Sequence, residues 1–235
     1  MDSVVAPHVI YQTHMAEAKV RILAAERILN SPMTFSEHRN LDLEFCFLQI
    51  RRIIEAVTFG AMIREEQRYT KLRGLQREAN ARDHGNSSKD WQAPEILKRL
   101  VSLSPHALPR PLSKPTRHSS GLVEFQNQNI TVNHDRLIAL YGRSGGYLHA
   151  KNPLSADFSM LVEVERKKYN QAPAEATEAL DFLRKLLWNH AAITLDWTDL
   201  DDPMSLDNPR LAWIVDFGPD EGHDVSLILA SAVIG

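Results

Sequence analysis

The sequence predicts a mainly α-helical protein: a helical bundle over residues 1–190, with a small β-rich appendage over 191–235 packed on it. Three observations predict it. A proline-free stretch beginning at Glu37 carries Leu43, Phe47, Ile50, Ile54, Val57 and Ala61 at steps of four and three, the spacing of one buried helical face. A second stripe after Pro173 repeats that spacing with Ala176, Ala179, Leu180, Leu183, Leu186 and Leu187. After His190 the pattern changes, and AITLDW, LAWIVDFG and DVSLILASAVI are β-rich runs separated by Asp-, Pro- and Gly-rich turns. A small sheet alone is marginal in water, so these strands are expected to lie on the helices.

The elements follow in order. Gln12 to Asn30 is predicted helical, with Met15, Val20, Ile22, Leu23, Ile28 and Leu29 on a broad apolar face. Pro32 breaks it, and Ser36 is the expected N-cap of a second helix from Glu37 to at least Arg68. That helix carries a polar line, Glu44, Arg51, Glu55 and Thr58, beside its apolar stripe. RDHGNSSKDW reads as a loop, and Pro94 opens a short helix, APEILKRLVSL. An irregular, proline-rich stretch follows, and a small hairpin is expected near 121–132, turning near Gln126–Asn129. HDRLIALYGRSGGYLHAKNP is predicted as helix, a glycine-marked irregularity, then further helix ending before Pro153. ADFSMLVEVERKKYNQ continues as helix, and Pro173 is expected to open another that runs to His190.

Composition narrows the function classes. With 43% hydrophobic residues and a net charge of only −3, the chain is not of the disordered type. The charge is split along the chain. Residues 196–235 hold nine acids and one base, which leaves 26 bases and 21 acids in residues 1–195. A basic body with an acidic tail piece suits a polyanion partner better than the total implies. The acidic run Trp197–Asp207 is either a mask over a basic cleft or a solubilising rim. Between Ile96 and Val123 there is no acid, and Lys98, Arg99, Arg110, Lys114, Arg117 and His118 form either an RNA-tracking path or a solvated connector. The single Cys46 excludes a disulfide scaffold and an all-cysteine metal site, and its apolar surroundings predict a buried thiol. No apolar run approaches about 18 residues and the N-terminus lacks a basic n-region, so no membrane span, no secretory signal and a cytoplasmic location are expected.

Phosphate loops, nucleophile elbows and zinc-type histidine pairs are absent, so neither cofactor nor metal is expected. His8, His14, His38, His84, His106, His118, His190 and His223 read as surface or loop histidines. One cluster carries chemistry: Arg143, followed after SGGYL by His149, with Tyr141, Ser144, Tyr147 and Asn152 nearby. Arginine grips phosphate with a fixed fork of donors. Histidine moves protons near neutral pH. Together they suffice for RNA cleavage, in which a 2′-hydroxyl attacks phosphorus and arginine stabilises the transition state. Gly145 and Gly146 allow close approach. Six residues turn an ideal helix by about 600°, so Arg143 and His149 converge only if the chain is irregular at SGG or a second subunit supplies one of them. Glu44, Arg51 and Glu55 either pair beneath a neighbouring helix or line the pocket of the motif. Tyr141 and Tyr147 either pack or stack on bases.

The Arg143–SGGYL–His149 motif, with the charged amphipathic helix LDLEFCFLQIRRIIEAVTFGAMI upstream and the LH-x-x-NP ending, resembles the HEPN superfamily. The resemblance spans roughly residues 12–190. It implies an α-helical bundle and a metal-independent endoribonuclease in which Arg143 holds the phosphate and His149 is the general acid/base. It also implies a homodimer with a composite site, RNA as substrate, and a toxin or defence role with an antitoxin or other protein partner. Family members often carry Asn, Asp or His after the arginine, where this chain has Ser144. Inactive members that only bind RNA, a nucleotide or a protein also exist, so a non-catalytic helical module is the alternative.

Overall fold

The computed structural model describes residues 5–79, 86–104, 106–120, 123–128, 134–149, 158–194 and 211–230. Among the described residues there are six α-helices: α1 (Pro7–Asn30), α2 (Arg39–Arg64), α3 (Glu66–Ala79), α4 (Ala93–Leu103), α5 (His134–Leu148) and α6 (Phe158–Leu187). The mainly helical class is therefore as predicted, with a small sheet toward the C-terminus.

α2 is the central element. Its buried residues include Leu43, Cys46, Phe47, Ile50, Ile53, Ile54, Ala56, Val57, Thr58, Gly60 and Ala61, so it is covered on most of its circumference. It packs against α1, α4, α5 and α6. Against α1 the approach is close: a Cβ added to Gly60 would stand 3.1 Å from the Tyr11 ring, tighter than side chains normally allow. Cys46 is fully buried, and burial pushes its thiol up to about 11.

Several boundaries differ from expectation. Ser36 does not cap α2. The N-cap is His38, and the Asp42 carboxylate instead accepts the backbone N–H groups of Phe35 and Ser36 at 2.9 and 3.1 Å. α2 also ends earlier, at Arg64. There the fully buried guanidinium donates to the carbonyls of His106 and Ala107 at 2.9 and 2.7 Å, and the chain turns at Glu65 into α3. The turn packs Tyr69 with Ile96, Leu100, Leu103 and Ala107 in a second apolar cluster. α4 begins at Ala93 with Pro94 in its first turn, as predicted. α5 runs unbroken through Ser144, Gly145 and Gly146, so the expected irregularity is not there. Pro173 does not open a new helix but lies inside α6. An interior proline costs about 3 kcal/mol. Burial of Ala172, Ala176, Leu180, Leu183 and Leu187 along the same helix offsets that cost.

The C-terminal strands form a sheet with a strand from outside the expected segment. β1 (Arg110–Pro111), β4 (Asn189–Thr194), β5 (Leu211–Asp216) and β6 (Ser226–Ala230) make one antiparallel sheet in the order β1-β4-β5-β6. One face gives Ala192, Trp213 and Val215 to the helical core. The other buries Ala191, Ile193, Ala212 and Ile214 with Leu112 beneath Phe125. The hairpin also differs. β2 (Thr116–Arg117) pairs with β3 (Val123–Glu124), which puts the turn before Val123 rather than near Gln126–Asn129; Asn127 bridges back to Leu112. The acidic run Trp197–Asp207 and His84 lie outside the described residues.

Two histidines expected at the surface are buried. His190 is fully enclosed in β4. Its Nδ1–H donates to the Leu187 carbonyl at 2.8 Å, and its Nε2 accepts the Tyr11 hydroxyl at 2.9 Å. Burial pulls it down to about 4; the Leu187 bond opposes that shift and Arg64 adds to it. His106 is also held near 4, by burial and then by Arg110 and Arg64.

A depressed imidazole stabilises the fold above its unfolded pKa of 6.5, and that stability is lost as pH falls toward 4. His190 alone is expected to remove about 2 kcal/mol by pH 5. Urea unfolding at pH 7.5 and pH 5 checks this: His190→Gln, less stable at pH 7.5, should lose less on acidification than the wild type. Gly60→Ala should destabilise by about 1–3 kcal/mol in the same assay, because the Tyr11 ring has to move.

Candidate functional site

The residues singled out in sequence gather where α2, α5 and α6 meet. α5 presents two lines of side chains. Tyr141, Gly145 and His149 follow one another at steps of four toward α2, while Arg143 faces α6 and Tyr147 lies between α6 and Phe47 of α2. A regular helix separates the two lines. Arg143 and His149 therefore do not converge within one chain.

On the α2 side, the Tyr141 hydroxyl donates to Glu55 Oε1 at 3.1 Å. The Arg51 guanidinium lies over the Tyr141 ring, 4.2 Å from its centroid, and its Nε reaches Glu55 Oε1 at 3.5 Å. Glu55 Oε2 takes Arg52 Nη1 at 2.9 Å. One carboxylate is thus shared by two guanidiniums, which leaves net positive charge at this end of the line. Burial, then the Glu55 carboxylate, pushes Tyr141 upward, so its hydroxyl stays a donor. His149 is exposed one residue past the end of α5, and its backbone N–H bonds the Gly145 carbonyl at 3.1 Å.

On the α6 side, Arg143 Nε stands 3.9 Å from Glu175 Oε2 with nearly half of its side chain exposed. Tyr147 stacks on Phe47 with ring centroids 3.7 Å apart, and its hydroxyl donates to Glu175 at 3.3 Å. Burial and Glu175 hold it up to about 12. Tyr147 is thus a packing residue here, its ring covered by Phe47 and by the Lys168 ammonium. Glu44 accepts a hydrogen bond from the Tyr169 hydroxyl of α6. Ser144 is buried, with Oγ donating to the Leu140 carbonyl at 2.8 Å. It faces the core, not the open side. Asn152 lies outside the described residues.

The polar line Glu44–Arg51–Glu55 therefore does two things. Glu44 and Glu55 each anchor a tyrosine of a neighbouring helix, while Arg51 keeps its Nη1 turned toward α5. Tyr169 and Lys168 were not singled out in sequence; their positions on α6 become meaningful only once that helix is known to run through Pro173. In the acid-free stretch, Arg99 approaches Asp90 at 3.8 Å, Lys98 pairs with Glu95, His118 with Glu124, and Arg110 contacts His106. Lys114 and Arg117 are exposed.

Among the described residues, no group of three or more His, Cys, Asp or Glu is placed to hold a metal ion, and no helix is long and apolar enough to cross a membrane. Comparison with protein-family models, curated proteins and solved structures finds no match.

Tyr141→Phe removes the bond on Glu55 while keeping the ring under Arg51. It should cost about 1 kcal/mol in chemical unfolding. Glu55→Ala should cost more, because it leaves Arg51 and Arg52 without their shared counter-charge.

Proposed function

We propose that the chain is a metal-independent endoribonuclease of the HEPN type, acting as a homodimer. The observation that carries the reading is the exposed imidazole of His149 at the end of a helix packed on the charged line of α2. In this reading His149 takes the proton of an RNA 2′-hydroxyl as that oxygen bonds to phosphorus. The bond from phosphorus to the 5′-oxygen breaks, and His149 passes the proton to that oxygen. The products are a 2′,3′-cyclic phosphate and a 5′-hydroxyl. Arg143 stabilises the charge that builds on the phosphoryl oxygens.

Two features support a second copy. Arg143 and His149 lie on different lines of one regular helix, so a site using both has to draw on two chains. α2 also leaves Leu41, Phe45 and Leu48 exposed at helical spacing, at 49%, 42% and 40%. Such a stripe on an otherwise enclosed helix suits association. A toxin or defence role in the cytoplasm, with an antitoxin-like protein partner, belongs to the same reading. A second reading, a helical module that binds RNA, a nucleotide or a protein without cleaving, is favoured by Ser144. Its hydroxyl is turned into the core and unavailable to a phosphate.

Purified protein should cleave RNA in EDTA, and His149→Ala or Arg143→Ala should each lose about 100-fold or more. Mixing the two variants should restore about a quarter of wild-type activity, because half the dimers then hold one intact composite site. Wild type and variants that bind RNA alike and cut none would instead establish the binding module.

A further inference from the structure

The four-stranded sheet has two edges, and they are finished differently. At β1 the chain folds back over its own edge. Pro111 has no amide hydrogen to offer, its carbonyl accepts the Gln128 N–H at 2.8 Å, and the Ser113 N–H donates to the Gln126 carbonyl at 2.8 Å. β6 is bonded to β5 on one side and, among the described residues, has no strand on the other. An edge is commonly protected by a lysine, a proline or a bulge. Ser226, Leu227, Ile228, Leu229 and Ala230 supply none of these, and their register with β5 is uninterrupted.

This open edge is firmly placed. On α1, Gln12 Nε2 donates to the Val225 carbonyl at 2.6 Å, and the buried Lys19 ammonium donates to the Asp224 carbonyl at 3.0 Å. The chain entering β6 is therefore held at two successive residues. Leu227 and Leu229 then lie opposite Val215 and Trp213 on the helical face, while Ile228 and Ala230 lie opposite Ile214 and Ala212 on the other. Ile228 and Leu229 stay 52% and 59% exposed, one on each face. Val9, three residues before Gln12 and so on the side of α1 that meets β6, is exposed as well. Apolar side chains thus flank the unpaired strand on both faces.

The order of residues in β6 selects the occupant. About Ile228 the strand is close to a palindrome. Antiparallel pairing with a second copy sets Ile228 against itself, Leu227 against Leu229, and Ser226 against Ala230. Leucine then meets leucine on the helical face and isoleucine meets isoleucine on the other, the kind of cross-strand pair that stabilises a sheet. Charge disfavours the parallel arrangement, which would lay Asp224 of one copy beside Asp224 of the other. Antiparallel pairing carries the acidic approaches to β6, with Asp220, Glu221 and Asp224, to opposite ends.

We propose that β6 is a self-association edge, where two copies of this chain pair antiparallel about Ile228 and join their sheets into one. The two-fold axis uses up both open edges, so the joined sheet stops at two chains. The contact involves neither Arg143, His149 nor the exposed stripe of α2, and it stands apart from the ribonuclease reading.

Sedimentation velocity on the full-length chain tests it, in a Leu48→Glu background that removes association through α2. A concentration-dependent equilibrium between one and two chains is expected there. Adding Ile228→Lys or Ile228→Glu sets like charges against each other at the axis, and each should weaken the dimer by about tenfold or more. An equimolar mixture of the two should regain it, which loss of folding in either variant would not allow. Without any change at Ile228, hydrogen exchange of the β6 amides should slow as concentration rises. The proposal is overturned if the chain stays monomeric throughout, if the charged variants dimerise as before, if mixing them restores nothing, or if association continues past two chains.

Discussion

The enclosure of α2 constrains everything around it. A helix covered by four others can carry charge only where a neighbour meets that charge. Glu44 is met by a tyrosine of α6 and Glu55 by a tyrosine of α5, so its acidic groups become the points where outer helices are fastened. Gly60 sets how near α1 can come, and Arg64 ends the helix by reaching under α4 to two carbonyls. The site is a by-product of this packing: Arg51 turns its Nη1 toward Gly145 of α5 because Glu55 and Tyr141 hold the rest of its side chain.

The parts of this arrangement legible in sequence are those written as periodic patterns. The stripe from Leu43 to Ala61 located α2, the Ala/Leu stripe located the second half of α6, and Pro94 marked the start of α4. Glu44, Arg51 and Glu55 stood out because charge beside a buried stripe requires a partner. What escaped were the places where tertiary packing overrules a local signal. Pro173 reads as a helix start, but the buried alanines and leucines around it keep one helix continuous. Two glycines at 145 and 146 read as a break, but the flanking Tyr141, Ser144 and Tyr147 are all packed, and they hold the helix straight through. His190 looked like a loop histidine because the strand that encloses it has no pattern of its own until β5 lies beside it.

The uneven charge along the chain takes on a different meaning in three dimensions. Many bases of the helical body are already committed: Arg64 to carbonyls and Glu65, Arg99 to Asp90, Arg184 to Glu26 and Asp220. Exposed bases nonetheless remain spread over the surface, among them Arg52, Arg77, Lys89, Lys114, Arg117, Arg143, Lys167 and Lys185.

The short strand Arg110–Pro111 joins a sheet whose other members lie some eighty residues further along the chain. Pairing it with β4 closes a long loop that includes all of α5 and α6, and loop closure on that scale is favourable only after the helices between have condensed. Pairing of β1 with β4 is thus expected to follow the packing of those helices. Until then β4 lacks its outer neighbour, while β6 is an edge strand even in the finished sheet, with Ile228 and Leu229 exposed and no charge from Val225 to Gly235. Two residues contributed from a distant loop therefore cover one edge of the sheet and leave the other, at β6, open to pairing with other chains.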